Sequence, residues 1–392
     1  MQNNDYDISL ALQAIEDELQ RSMLRNLERH IKEVDEGGIE FTMWQAEQLK
    51  ALETYKANNL EKFVWHFDVI DAEIERKLMD AFKRGGFEQE KKIIQAIKKG
   101  WKNPSTRANT ANVETSANFF TVNETKLNEL IRATRDDIHD ANYAMLRQAE
   151  DQYRQAIFNA QVYYNTGAGS LMSAVKMATI DYIRRGIQSV EYSNGRRVNA
   201  QSYAEMTLRT ANKRAYLYGE AQKRDEWDVH TVIVTRRGVA CPKCQQYTGR
   251  VFMDDVFGSW RPTGRRKYPL ISTAMAGGLY HPNCKDTHTT YFEGLDEDLV
   301  KPMTEEEREK ASRVYELQQE QRYNERNIRK YKRLSELSVD DSTKDYYNIR
   351  VSTWQERQSK LIAENAGTLR RNYNRERVFG MAELDKLRAS AF

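Results

Sequence analysis

No apolar run in this chain of 392 residues approaches the ~18 needed to cross a bilayer, so a helical membrane protein is excluded. The opening MQNNDYDISLALQAIEDELQ has neither a basic start nor a continuous apolar segment, and no secretory signal is expected. Signatures of catalysis are also missing: there is no P-loop, no Ser-His-Asp pattern and no H-E-x-x-H helix. His230 is followed by Thr231 and Val232, so the H-x-E of zinc nucleobase deaminases is out of register. No catalytic residue is assigned and a non-enzyme is expected. An excess of one charge is lacking too. With 61 basic and 58 acidic residues the net charge is +3, which does not indicate nucleic-acid binding from bulk charge. Cysteine is scarce, at three residues.

All three cysteines lie in one stretch, Cys241, Cys244 and Cys284, together with His281 and His288. Scattered buried fillers would not gather beside two histidines. A Cys241–Cys244 disulfide is disfavoured in a reducing compartment. The C-x-x-C limb, with Pro242 in its turn, and the H-x-x-C limb, stiffened by Pro282, read as two knuckles of a tetrahedral zinc site. The expected ligands are Cys241, Cys244, His281 and Cys284, with His288 as the alternative to His281. Four protein ligands leave no open position for water, so the zinc would be structural and would staple a long loop.

The length implies two or three domains, and 30% charged against 40% hydrophobic residues fits a helix-rich protein. Up to Gly100 the spacing predicts short amphipathic helices. One carries Ile8 to Leu27 and ends at Gly37-Gly38, and one is capped by Thr42 with Gln45. A third runs from Val69 to Arg84 and stops at Gly85-Gly86, and a fourth spans Glu88 to Lys99. Gly100 to Asn118 reads as a linker, followed by a helix from Asn123 or Thr125 to Tyr164 and another from Ser170 to Arg185. Asn194-Gly195 suggests a type I′ hairpin, and Ser202 caps a helix over Tyr203 to Arg224. Strands are expected at Asp228 to Thr235, Gly249 to Phe252 and Thr289 to Phe292. From Thr304 two charged helices form an αα-hairpin that stands out from the body.

The fold class expected is therefore α+β and mostly helical: a helical region 1–118, a core with a small antiparallel sheet and the Cys/His knuckle over 119–300, and a helical hairpin and tail over 301–392. Basic runs at Arg184-Arg185, Arg196-Arg197, Arg236-Arg237 and from Arg261 to Lys267 are either solvated faces or phosphate contacts. Candidate nucleic-acid or anion ligands are Arg261, Arg265 and Arg266, with Arg209 and Arg214 on successive turns of one helix. The 21 tyrosines suit protein interfaces.

GLYHPNCKDTHTTYFEG, preceded by a strand, a turn and CPKC-x-x-x-x-GRVF, resembles the phage minor capsid protein 2 family, kin to the head-morphogenesis proteins typified by the F protein of phage Mu. RVNAQSYAEMTLRTANKRAYLYGEAQKR and YELQQEQRYNERNIRKYKRL extend the resemblance from Asn123 to Phe392. Earlier residues match only in helical character. The resemblance implies a structural virion component of the phage head, assembled in the bacterial host cytoplasm. Its implied partners are the portal or the major capsid protein, with homo-oligomer formation and contact with packaged DNA as further expectations. Many members place Arg-Pro-x-His where this chain has Cys241-Pro242-Lys243-Cys244, which implies that metal binding belongs to a subset.

Overall fold

The computed structural model describes residues 4–102, 113–167, 169–236, 241–264, 266–282, 284–338 and 340–380, with backbone alone at 4–7, 113–123 and 181. The chain is α+β and mostly helical. Its contacts divide it into two compact units. One is formed by 1–71, 137–205 and 318–392, the other by 72–136 and 206–317.

The first unit is built on α1 (Asn4–Leu27), the short α2 (Ile31–Asp35) and the first half of α3 (Phe41–Lys98). α1 differs from a simple amphipathic helix because its polar side is covered as well as its apolar one. Leu12, Ile15, Leu19 and Met23 are buried, and so are Glu16, Asp17 and Glu18. Those carboxylates are met by Arg333 at 3.2 Å from Glu16, and by Arg25 and Lys62 at 2.8 and 3.3 Å from Glu18. The second half of α4 (Val113–Asn165) runs antiparallel to α3 in this unit: Phe41 stacks on Tyr164 and Tyr55 meets Tyr153 edge-on. α4 begins at Val113, ahead of the expected Asn123, and residues 103–112 of the expected linker lie outside the described residues.

Ser170 caps α5 (Leu171–Arg185), its side chain accepting from the Ser173 amide at 3.1 Å. β1 (Val190–Glu191) and β2 (Arg197–Val198) form the expected hairpin, but its turn is not type I′. Gly195 takes φ 77° while Asn194 does not enter the left-handed region, so the loop is a three-residue turn ending in a left-handed glycine. α8 (Glu305–Glu336) and α9 (Asp341–Glu364) pair through Tyr323–Trp354 and Tyr331–Tyr347 contacts. This hairpin does not stand free. Leu334, Leu337 and Tyr347 pack in one cluster with Leu24 of α1 and Ile183 of α5, because its thin apolar stripe finds a face within the unit.

The second unit holds α6 (Ala200–Glu226) from Met206 onward, the second half of α3 and a three-stranded antiparallel sheet. Asn199, not Ser202, caps α6, accepting from the Ser202 amide at 3.1 Å. Nor does Thr42 cap a helix, since α3 has already begun at Phe41. α3 runs unbroken through Gly85-Gly86. The two glycines serve a helix crossing: a Cβ on Gly85 would lie 2.1 Å from the Tyr216 carbonyl oxygen of α6, and one on Gly219 would lie 1.9 Å from that of Phe82. The sheet order is β4-β3-β5, from β3 (Thr231–Val234), β4 (Val251–Met253) and β5 (His288–Thr290), with Val232 opposite both Phe252 and Thr290. Gln89 of α3 accepts from Thr290 at 2.8 Å, holding helix and sheet together.

Candidate metal centre

The sheet brings the two knuckles to one place. β3 is antiparallel to both neighbours, so its last residue, Val234, lies beside the start of β4 and the start of β5. The first knuckle bridges β3 to β4, with the Gly249 amide donating to the Val234 carbonyl at 2.9 Å. The second delivers the chain into β5. Both are tight turns: the Cys244 amide donates to the Cys241 carbonyl at 2.9 Å, and the Cys284 amide to the His281 carbonyl at 2.9 Å. Gly249 takes φ 72° with the Lys301 carbonyl 2.1 Å from where a Cβ would sit, so only glycine fits at the exit.

Cys241 Sγ lies 2.9 Å from His281 Nε2, and Cys244 Sγ lies 3.4 Å from Cys284 Sγ. The ligand atoms of Cys241, Cys244 and His281 all fall within 4.8 Å of one another, and so do those of Cys244, Cys284 and Asp286. His281 Nδ1 donates to the Pro282 carbonyl at 2.9 Å, so Nε2 presents its lone pair toward the sulfurs. A zinc at about 2.3 Å from each sulfur needs sulfurs about 3.8 Å apart and a nitrogen about 3.5 Å from sulfur; the Cys241–His281 and Cys244–Cys284 pairs are each closer than that by roughly half an ångström, while Cys284 belongs to the group with Cys244 and Asp286 and would have to move toward Cys241 and His281 to complete a four-ligand set.

Cys244 and Cys284 are buried, with Val232, Val234, Phe252 and Ile271 in the same cluster. Their hydrogen bond sets their ionisation. It holds the Cys284 thiol down to about 6, helped by the Lys213 ammonium, while the same bond and burial push Cys244 up. Lys213 of α6 donates to the carbonyls of Cys284 and Asp286 at 2.9 and 2.5 Å. A recess lined by Lys213, Tyr280, His281 and Cys284 has a volume of about 10 Å³, the room for one water and too little for a substrate.

His288 belongs to neither group of ligand atoms. Its Nδ1 shares a 2.8 Å hydrogen bond with the Tyr280 hydroxyl, and burial, then the Arg224 cation, hold it down to about 3. Tyr280 adopts φ 59°, turning its ring inward while His281, next in the chain, lies by Cys241. Asp286 is the residue that spacing did not single out. It lies two positions after Cys284, with Oδ2 3.8 Å from that sulfur and a buried Oδ1 that has no hydrogen-bond partner.

The arginines are dispersed. Arg209 and Arg214 both lie on α6, but five positions separate them by about 140° around the helix. Arg261 donates to the carbonyls of Gly258 and Trp260 at 3.2 and 2.7 Å, Arg266 is exposed, and Arg265 lies outside the described residues.

The family described as phage minor capsid protein 2 matches residues 7–363, most of the chain. The chain belongs to the phage minor capsid protein 2 family. The match begins at residue 7, so the N-terminal helices are part of the family region and not an addition to it. A similar protein, named a structural protein of Lactococcus phage LL-H, is 24% identical over 231 residues. That alignment covers 57% of this chain and 61% of the relative, so the chain spans less than two thirds of that protein's length. No solved structure matches. None of the described helices is long and apolar enough to cross a membrane.

Proposed function

We propose that this family member is a structural, non-catalytic component of the phage head that assembles with the portal or the major capsid protein, and that a zinc ion staples its second unit. Family membership across residues 7–363 supports the first part. For the second, the observation that carries it is the grouping of Cys241, Cys244 and His281 at the end of the sheet where three strand termini meet, with Cys284 3.4 Å from Cys244. Cys241, Cys244, Cys284 and His281 would hold the ion, which would supply cross-linking of two knuckles about 40 residues apart and no reaction chemistry. As structural zinc does in small folds, it would stabilise the loop-rich region between β3 and β5.

The head assignment is tested by locating the protein in purified particles by cryo-electron microscopy. Density beside the portal or the capsid lattice is expected, and absence from the particle would contradict the reading. The zinc assignment is tested by metal analysis of Cys241→Ser, which should lose metal and thermal stability together.

A further inference from the structure

Within the first unit, cations from three elements converge along one side of α8. Arg326, exposed, and Lys330, half-buried, are one helical turn apart on that helix. Arg184 and Arg185 occupy the last turn of α5, and Arg196 lies at the β1–β2 hairpin; all three are exposed. Packing fixes the approach at both ends. Ile183 shares a core cluster with Leu334, against which Tyr331 also packs, and this brings the end of α5 beside Lys330. Arg375 bridges Glu205 at 2.9 Å and Glu325 at 3.8 Å, which sets the start of α6, and the hairpin leading into it, beside Arg326.

The carboxylates near this line are already engaged. Glu191 pairs with Arg197 at 2.8 Å, and Glu325 is buried and shared with Arg375. Among the described residues no carboxylate forms an ion pair with Arg185, Arg196, Arg326 or Lys330. The ionisation of the two inner cations reflects this crowding. Burial, then the Arg196 guanidinium, lowers Arg326, while burial, then Arg184, lowers Lys330. Like charges gathered on one face destabilise the folded chain on their own, and an external polyanion would offset that.

We propose that Arg184, Arg185, Arg196, Arg326 and Lys330 form a binding face for the phosphate backbone of duplex nucleic acid. Four of the five are arginines, whose planar forks match phosphate oxygens. Their arrangement as a line, rather than a pocket, fits a ligand whose charge repeats along an axis. The face reads no bases in this account, so the binding is sequence-independent. None of its residues belongs to the candidate metal centre or to the Arg261 loop.

The test uses the full chain and a labelled mixed-sequence DNA duplex, with anisotropy measured between about 50 and 200 mM salt. In the triple variant Arg196→Gln/Arg326→Gln/Lys330→Gln, affinity should fall at least about tenfold. The slope of log affinity against log salt should become shallower by about 2 to 3. Its melting temperature should equal or exceed that of the wild type, because the row is relieved of repulsion. If the triple variant folds poorly, Lys330→Gln alone carries the test through a slope change of about 1. Arg261→Gln/Arg266→Gln should retain wild-type binding. The proposal is overturned if wild-type protein does not bind the duplex at low salt or if the variant binds unchanged. It is likewise overturned if only the Arg261/Arg266 variant loses binding. Tighter binding of polyglutamate than of DNA to the wild type would assign the face to an acidic protein instead.

Discussion

Gly219 of α6 and Phe82 of α3 meet backbone to backbone: a Cβ on Gly219 would lie 1.9 Å from the Phe82 carbonyl oxygen and 2.9 Å from the Gly86 amide nitrogen. Neither atom can give way without breaking helical hydrogen bonds, so the crossing requires glycine. Gly219→Ala should destabilise the protein by about 1 to 3 kcal/mol, the usual range for overpacking. Alanine favours an isolated helix by up to ~1 kcal/mol, so a variant as stable as the wild type in denaturant titration would show that the helices do not approach this closely.

The same crossing explains a misreading at the level of sequence. Gly-Gly after an amphipathic run is a helix-stop signal when its neighbours are unknown, since a glycine that ends a helix and one that admits another backbone look alike. Thr42 and Ser202 failed as caps because Phe41 and Ala200 had already begun their helices. Ser170, expected only as the start of its helix, is its cap in the structure, where Gly167 and Gly169 before it both take positive φ. The α+β class, the hairpin and the strands around the knuckles were legible because β-branched alternation and the C-x-x-C and H-x-x-C turns are local signals. The burial of α1 on its polar side was not legible, because it depends on Arg333, which is more than 300 residues away.

Asp17 gives the first unit a pH dependence. Burial, against the opposing Arg333 cation, raises its carboxyl from 3.8 to about 6. The folded state therefore binds the proton more tightly than the unfolded chain between those values. Stability from this group is fully present below about pH 4 and is lost as pH rises through about 6, by roughly 3 kcal/mol as an upper bound. Asp17→Asn should flatten that part of the stability profile, with little difference from wild type at pH 4 and a gain at pH 7. Parallel profiles for the two proteins would contradict the assignment.

Tyr280 and His288 should act as an anchor next to the Cys/His knuckle. Tyr280→Phe removes the 2.8 Å hydrogen bond and leaves His288, whose Nε2 already has no hydrogen-bond partner, with both nitrogens unsatisfied. A loss of about 1 to 3 kcal/mol is expected, with metal content retained in the folded fraction. If His288 were instead a ligand, His288→Gln would change the visible spectrum of the cobalt-substituted protein, whereas an anchoring role leaves the Cys3His spectrum in place.

The central claim is that one ion joins the two knuckles, and metal stoichiometry on the purified full chain tests it most directly. About one zinc per chain is expected, retained in folded His288→Gln, strongly reduced in His281→Ala and Cys244→Ser, and removed by chelator with a fall in melting temperature. A chain that carries no zinc when purified in its presence, and melts at the same temperature with and without chelator, would contradict the account.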